Sequence, residues 1–178
     1  MSQTKRNYSF IFFYSFIFTI SSLVFAHGPS RQKVVEKIEI NAEINDVWKI
    51  ISNFEDFSWN PLISSTEASG NEVGSLRKLK SKNNSKISQT LEKLNVEKKL
   101  VSWRIKDTDQ KLLPVNSYQA TLLLKDKNGN VEVTYKAGFY RGFMGNDPPE
   151  ELNDANSKRK VKEFIDSALK NLKNISEK

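Results

Sequence analysis

The sequence predicts an α+β domain: an antiparallel sheet of six to seven strands, two short helices after the first strand, and a long carboxyl-terminal helix packed across the sheet. Three observations carry this. Residues 34–40 alternate, with Val34, Glu36, Ile38 and Ile40 against Val35, Lys37 and Glu39, as in a half-buried strand. Short apolar segments separated by turn residues then fill the stretch 62–137. Beyond them Val161, Phe164, Ile165, Ala168, Leu169 and Leu172 recur at helical spacing, with charged residues on the opposite side.

After Ile40 the period changes: Ile44, Val47, Trp48 and Ile51 form one stripe of a short helix. Phe54, Phe57 and Trp59 mark a second short helix, which Asn60-Pro61 ends because proline holds its predecessor extended. Strands are expected at 62–68, 75–80, 86–96, 100–106, 117–125 and 131–137. Asn128-Gly129 is the clearest hairpin signal, since a type I′ turn needs positive φ at both central residues. In the last two strands Tyr118, Ala120, Leu122, Leu124, Val131, Val133, Tyr135 and Ala137 share one dry face, opposite Gln119, Thr121, Lys125, Glu132, Thr134 and Lys136. A sheet with one wet face needs a cover on the other, and the carboxyl-terminal stripe supplies it. Asp147-Pro148-Pro149-Glu150 reads as the start of that helix, with Asp147 as its N-cap.

The amino terminus reads as an address. Lys5 and Arg6 precede an apolar run over 8–20, and Val24 and Ala26 bracket a signal-peptidase site. Ser15, Thr19, Ser21 and Ser22 dilute the run, which favours a cleaved signal peptide (1–26) over a retained membrane anchor. The remaining 27–178 then make one domain working in the periplasm, with no stable membrane anchor after cleavage. The chain contains no cysteine and one histidine, which excludes disulfide scaffolds, thiol nucleophiles, thiolate metal sites and any site needing two histidines. His27, with the α-amine that cleavage would free, is a weak candidate for copper; its position in a tail with Gly28 and Pro29 favours incidental exposure. No cofactor is expected.

The formal net charge of the whole chain is +7. Export and a marked lysine over arginine bias argue against nucleic acid, which favours planar, bidentate guanidinium contacts. Two basic runs stand out. Arg77, Lys78, Lys80, Lys82 and Lys86 occur without an acid between them, and Lys158, Arg159, Lys160 and Lys162 share one helical stretch. Each reads either as a solvated face or as a docking patch for an acidic protein partner.

The order of elements, together with Ile38-Glu39-Ile40-Asn41-Ala42, Asp46-Val47-Trp48, Trp59-Asn60-Pro61 and the glycines Gly70 and Gly74, resembles the START-like or Bet v 1-like superfamily (SRPBCC, polyketide cyclase/dehydrase). Within it the chain is similar to the exported MxaD family, associated with periplasmic methanol oxidation. The likeness to that branch rests on the signal peptide, His27-Gly28-Pro29, Leu113-Pro114-Val115 before Tyr118, and Phe139-Tyr140-Arg141-Gly142 before the closing helix. The resemblance implies the helix-grip fold, in which a curved sheet clasps the long helix around a cavity for an apolar small molecule. A largely apolar pocket with a few polar groups is also the ordinary form of a ligand site. Trp103, Tyr118, Tyr135, Phe139 and Phe164 are the candidate lining, with Trp59 near the mouth and Arg141 at the rim to hold an anionic group; core packing is the competing reading of each.

The inward parity carries tyrosines and hydrocarbons without a carboxylate pair, which argues against acid/base catalysis. Glu92 is compatible with either face, and Arg104 suits a cross-strand charge pair. The resemblance therefore implies a non-enzymatic accessory factor of periplasmic methanol oxidation, bound to a dehydrogenase or c-type cytochrome through Arg77, Lys78, Lys80 and Lys82. Two alternatives stand beside it: a carrier of a lipid or other apolar ligand, and a small cyclase or dehydratase.

Overall fold

Strand β1 (Gln32–Ile40) forms one edge of a seven-stranded, wholly antiparallel sheet, the computed structural model describing residues 28–178. The expected signal peptide and His27 lie outside the described residues. Helix α1 (Ile44–Ser52) follows β1 and buries Val47, Trp48 and Ile51. Strands β2 (Ile63–Ala68), β3 (Leu76–Ser81), β4 (Lys86–Asn95), β5 (Leu100–Thr108), β6 (Val115–Asp126) and β7 (Val131–Arg141) then form a meander. The last strand returns beside the first, so the order across the sheet is β1-β7-β6-β5-β4-β3-β2. Helix α2 (Asp154–Ser176) closes the domain, lying mainly against β1 and β7.

The sheet coils because its ladders are interrupted. Register shifts occur between β2 and β3 at Ile63/Ser65, twice between β4 and β5, and between β6 and β7 at Asn116/Gln119, where Ser117 takes φ +49°. Each inserted residue bends its strand and increases the local twist. Cross-strand pairs such as Ala120 with Ala137, Leu122 with Tyr135 and Leu124 with Val133 keep the expected dry face in register. At the β6–β7 hairpin Asn128 and Gly129 both have positive φ (57° and 94°), and Lys127 and Asn130 exchange backbone hydrogen bonds across the turn. The stripe of α2 buries Val161, Phe164, Ile165, Ala168, Leu169 and Leu172, the residues its spacing selects.

Two local expectations are corrected. The chain between α1 and β2 forms successive turns in place of a second short helix. Asn53, Asp56 and Asn60 each accept a hydrogen bond from the backbone N–H two residues on, at 3.2, 2.8 and 3.1 Å. Such bonds give the backbone an alternative to helical pairing. The cap of α2 is Asn153, whose side chain accepts from the Asn156 N–H at 2.8 Å. The acidic, proline-containing segment before it forms a single 3-10 turn, Glu150–Leu152.

The turn after Trp59 also anchors α2. Asn60 is fully buried, and its Nδ2 donates to the Phe164 carbonyl at 3.3 Å, while Asn171 Nδ2 donates to the Trp59 carbonyl at 3.2 Å. Removing the Asn60 amide strips the Leu62 N–H of its acceptor and the Phe164 carbonyl of its second donor, so Asn60→Ala is expected to lower stability by about 2 kcal/mol. Urea unfolding should show a reduced midpoint with an unchanged slope.

Candidate functional site

The inner face of the sheet, the connection from α1 to β2 and the stripe of α2 enclose one aromatic interior. Trp59, Trp103, Tyr118, Tyr135, Phe139 and Phe164 are each at most 2% exposed. Phe57 joins them: its ring centroid lies 4.5 Å from that of Trp59, 5.9 Å from Trp103 and 6.2 Å from Phe164. Trp103 meets Tyr135 edge-on at 5.8 Å, and Tyr118 stacks on Phe139 at 6.1 Å. Five of the six aromatic candidates thus sit on the sheet's inner face or on the helix stripe, and Trp59 reaches them from the turn. The rings pack against one another, while clefts open on the outer face of the sheet, at the α1–β2 turn, near the start of α2 and, beside Tyr118, between the end of β5 and the start of β6.

Arg77 overturns its assignment to a partner surface. It is 2% exposed and shares the inner face of β3 with Leu79, whereas Lys78 and Lys80 point outward. Its guanidinium carbon lies 4.1 Å from the Phe54 ring centroid, 4.3 Å from Phe57 and 5.0 Å from Trp103. Nε donates to Gln89 Oε1 at 2.8 Å and Nη1 to the Phe54 carbonyl at 3.2 Å. Both acceptors are neutral, and among the described residues no carboxylate forms an ion pair with it. Burial pushes its pKa down to about 9, against a weaker opposing pull from Tyr135 and Asp56, so the group stays cationic at neutral pH. The missing signal was parity. Leu76 and Leu79 lie on opposite faces of β3, so the pattern alone did not say which was core; Leu76 proves to be 51% exposed and Arg77 follows Leu79 inward.

Three polar groups in this interior have no hydrogen-bond partner: Arg77 Nη2, Trp59 Nε1 and Trp103 Nε1. All three belong to side chains packed on Phe57, and all are donors only. An unsatisfied buried donor costs about 1 to 3 kcal/mol, and a buried charge more. Cation–π contacts of about 0.5 to 2 kcal/mol each offset part of this.

Arg141 is also corrected. It does not stand open at a rim: Nη1 pairs with Asp154 at 2.8 Å, Nε donates to the Phe143 carbonyl at 2.7 Å and Nη2 to the Gly145 carbonyl at 2.6 Å. The side chain ties the end of β7 and the following loop to the first turn of α2. Glu92, on the outer face, binds Arg104 at 2.6 Å and accepts from Gln119 Nε2 at 2.7 Å, so Arg104 does serve a cross-strand pair. Glu36 stands opposite Tyr135 in register but reaches Lys162 of α2 at 3.1 Å.

Lys78, Lys80 and Lys82 are exposed, as a docking surface requires. Lys78 and Lys80 border a groove with Lys86, but Glu67 and Asp107 share it. The second basic run is largely offset along its own helix, Arg159 and Lys160 by Glu163, and Lys162 by Asp166.

A family described as polyketide cyclase / dehydrase and lipid transport matches residues 31–177. The chain belongs to this family. Solved structures show the same fold. XoxI from Bacillus cereus is 20% identical, with 81% of this chain and 94% of that one covered at a TM-score of 0.68. A protein from Nitrosospira multiformis is 21% identical, covering 82% and 96%, at 0.67. Major latex-like protein 151 from Panax ginseng is 12% identical, covering 82% and 97%, at 0.65. No curated protein sequence matches the chain. Across this family fold the chain combines a clasped closing helix with an interior of aromatic rings and hydrogen-bond donors.

Two expectations follow. Arg141→Ala removes an ion pair and two carbonyl contacts, so a loss of about 3 kcal/mol is expected in urea unfolding, with little recovered by Arg141→Lys because an ammonium cannot span the same acceptors. The second concerns alkaline pH. Burial raises the pKa of Tyr118 well above its ordinary value and that of Tyr135 to about 12, and their hydroxyls lie 3.4 Å apart. An acid whose folded pKa is raised contributes stability that is complete below its unfolded value and is lost as pH climbs through the folded one. Tyr135 alone accounts for about 3 kcal/mol of that loss between its unfolded and folded values. Tyr135→Phe should therefore lose less stability than wild type from pH ~10 to ~12, read as urea midpoint against pH.

Proposed function

We propose that the protein is a non-enzymatic binding member of its family, which takes a small, largely apolar ligand into the interior between the sheet, the turns after α1 and α2. The observation that carries this reading is the set of unpartnered donors inside an otherwise apolar interior. Specific ligand sites combine apolar walls with a few placed polar groups in this way. A cyclase or dehydratase needs an acid or base beside the substrate. Glu36 is engaged by Lys162, Glu92 is held on the outer face by Arg104 with Gln119, and Asp56, whose charge reaches Arg77, accepts from Ser58. Protein purified gently from its native host is expected to carry a noncovalent small molecule, detected by native mass spectrometry and solvent extraction. Uniformly empty protein would overturn the reading.

A second reading rests on the exposed row of Lys78, Lys80 and Lys82. In it the protein, exported by cleavage near Ala26, assists methanol oxidation in the periplasm by docking on an acidic dehydrogenase or c-type cytochrome. Charge-steered docking weakens steeply with ionic strength. Pull-down from periplasm at low salt should recover such a partner, and Lys78→Glu with Lys80→Glu should abolish recovery. If no dehydrogenase or cytochrome is retained at low salt, the docking role fails.

A further inference from the structure

The ligand in the reading above lacks one chemical feature that Arg77 supplies. A buried guanidinium normally meets a carboxylate, because a desolvated charge is stabilised by an opposite one. Here its two hydrogen-bond acceptors are the Gln89 amide and the Phe54 carbonyl, and Nη2 is left over. In the same interior the indole N–H groups of Trp59 and Trp103 also lack acceptors, and the Tyr135 and Asp56 oxygens that act on the guanidinium from further off form no hydrogen bond with it. Cation and donors together call for an acceptor that brings negative charge. The surroundings set the rest of the ligand. Phe54, Phe57 and Trp103 pack their rings on the guanidinium at 4.1 to 5.0 Å, so a group taken up beside it would meet aromatic surfaces, which favour a flat, apolar body.

We infer that Arg77 is the anchor of an organic-anion site, holding the carboxylate of a small acid with a flat apolar body, with Trp59 and Trp103 donating from their indoles. The inference rests on the interior-ligand reading of the preceding subsection and names its substrate class. Gln89 acts as a positioning residue, since its amide oxygen holds the guanidinium by Nε and leaves Nη2 for the ligand. The turns between α1 and β2 cover the guanidinium with Phe54 and Phe57. Those turns contact the sheet side through the Phe54 N–H on Asn71 Oδ1 and the Phe57 N–H on Thr66 Oγ1.

Cinnamate and its neutral isostere cinnamamide test this on the full chain, by calorimetry and by the indole N–H resonances of Trp59 and Trp103. Cinnamate should bind about tenfold or more tightly than the amide, the factor that a hydrogen bond to a charged group commands. Both indole resonances should move on binding. Arg77→Met should erase the preference for the acid while leaving amide binding in place. The same variant should resist urea at least as well as wild type, because an unpaired buried charge gives way to an apolar side chain. If acid and amide bind alike and Arg77→Met changes neither, the anionic anchor is overturned while an interior ligand survives. If neither binds, the anion site falls, and the interior-ligand reading is then decided by extraction of the protein purified from its host. Decanoate binding in preference to cinnamate would overturn the flat body, and a lowered urea midpoint with unchanged cinnamate affinity would make Arg77 a structural residue.

Discussion

The constraint on which this structure depends is that the inner face of a seven-stranded sheet must be kept from water by a single helix. An antiparallel sheet can leave one face wet, and here the outer face carries Gln119, Thr121, Lys136 and their neighbours. The inner face is hydrocarbon and aromatic across β5 to β7 and cannot do the same. One helix is narrower than seven strands, so the sheet must coil around it. The bulges in β2, β4 and β6 provide that bending, and α2 lies chiefly against β1 and β7. The opposite half of the inner face receives its cover from the turns after α1, through Phe54, Phe57 and Trp59.

This division of labour explains where polar chemistry enters the interior. Under α2 the cover is regular: Ala168, Leu169 and Leu172 are buried along one helical stripe that lies on β1 and β7. Under the turns the cover is irregular, and there Arg77, Gln89 and two indoles are enclosed together. A charge in that place is held at a cost to stability, with ring faces and two neutral acceptors making up part of it. The other buried arginine, Arg141, shows the contrast. It has a carboxylate and two carbonyls within reach, and its work is to fasten the loop after β7 to the start of α2.

Much of this was readable from residue order. The alternation of the last two strands, the Asn128-Gly129 turn and the stripe of α2 are local patterns, and each reappears in register. The aromatic residues assigned to the interior do meet there, since strand parity and helical spacing determine the face on which a side chain lies. What failed to read through were places where local rules compete. Asn53, Asp56 and Asn60 bind their own backbone in a stretch whose aromatic spacing suggests a helix. Asn153 caps α2 although Asp147 precedes the prolines. Arg141 seemed available because its partner Asp154 belongs to another element.

By itself the sequence determined the element order, the strand faces and the helix that closes them, because these follow from the periodicity of apolar side chains along a chain of fixed geometry. Only the tertiary structure decided the fate of Arg77. In β3 leucines occupy both faces, so the choice of the inner one is made by the strands and turns that pack on it, and burial is a property of neighbours distant in sequence. The same packing turned a member of an apparent basic surface row into a cation enclosed by three rings.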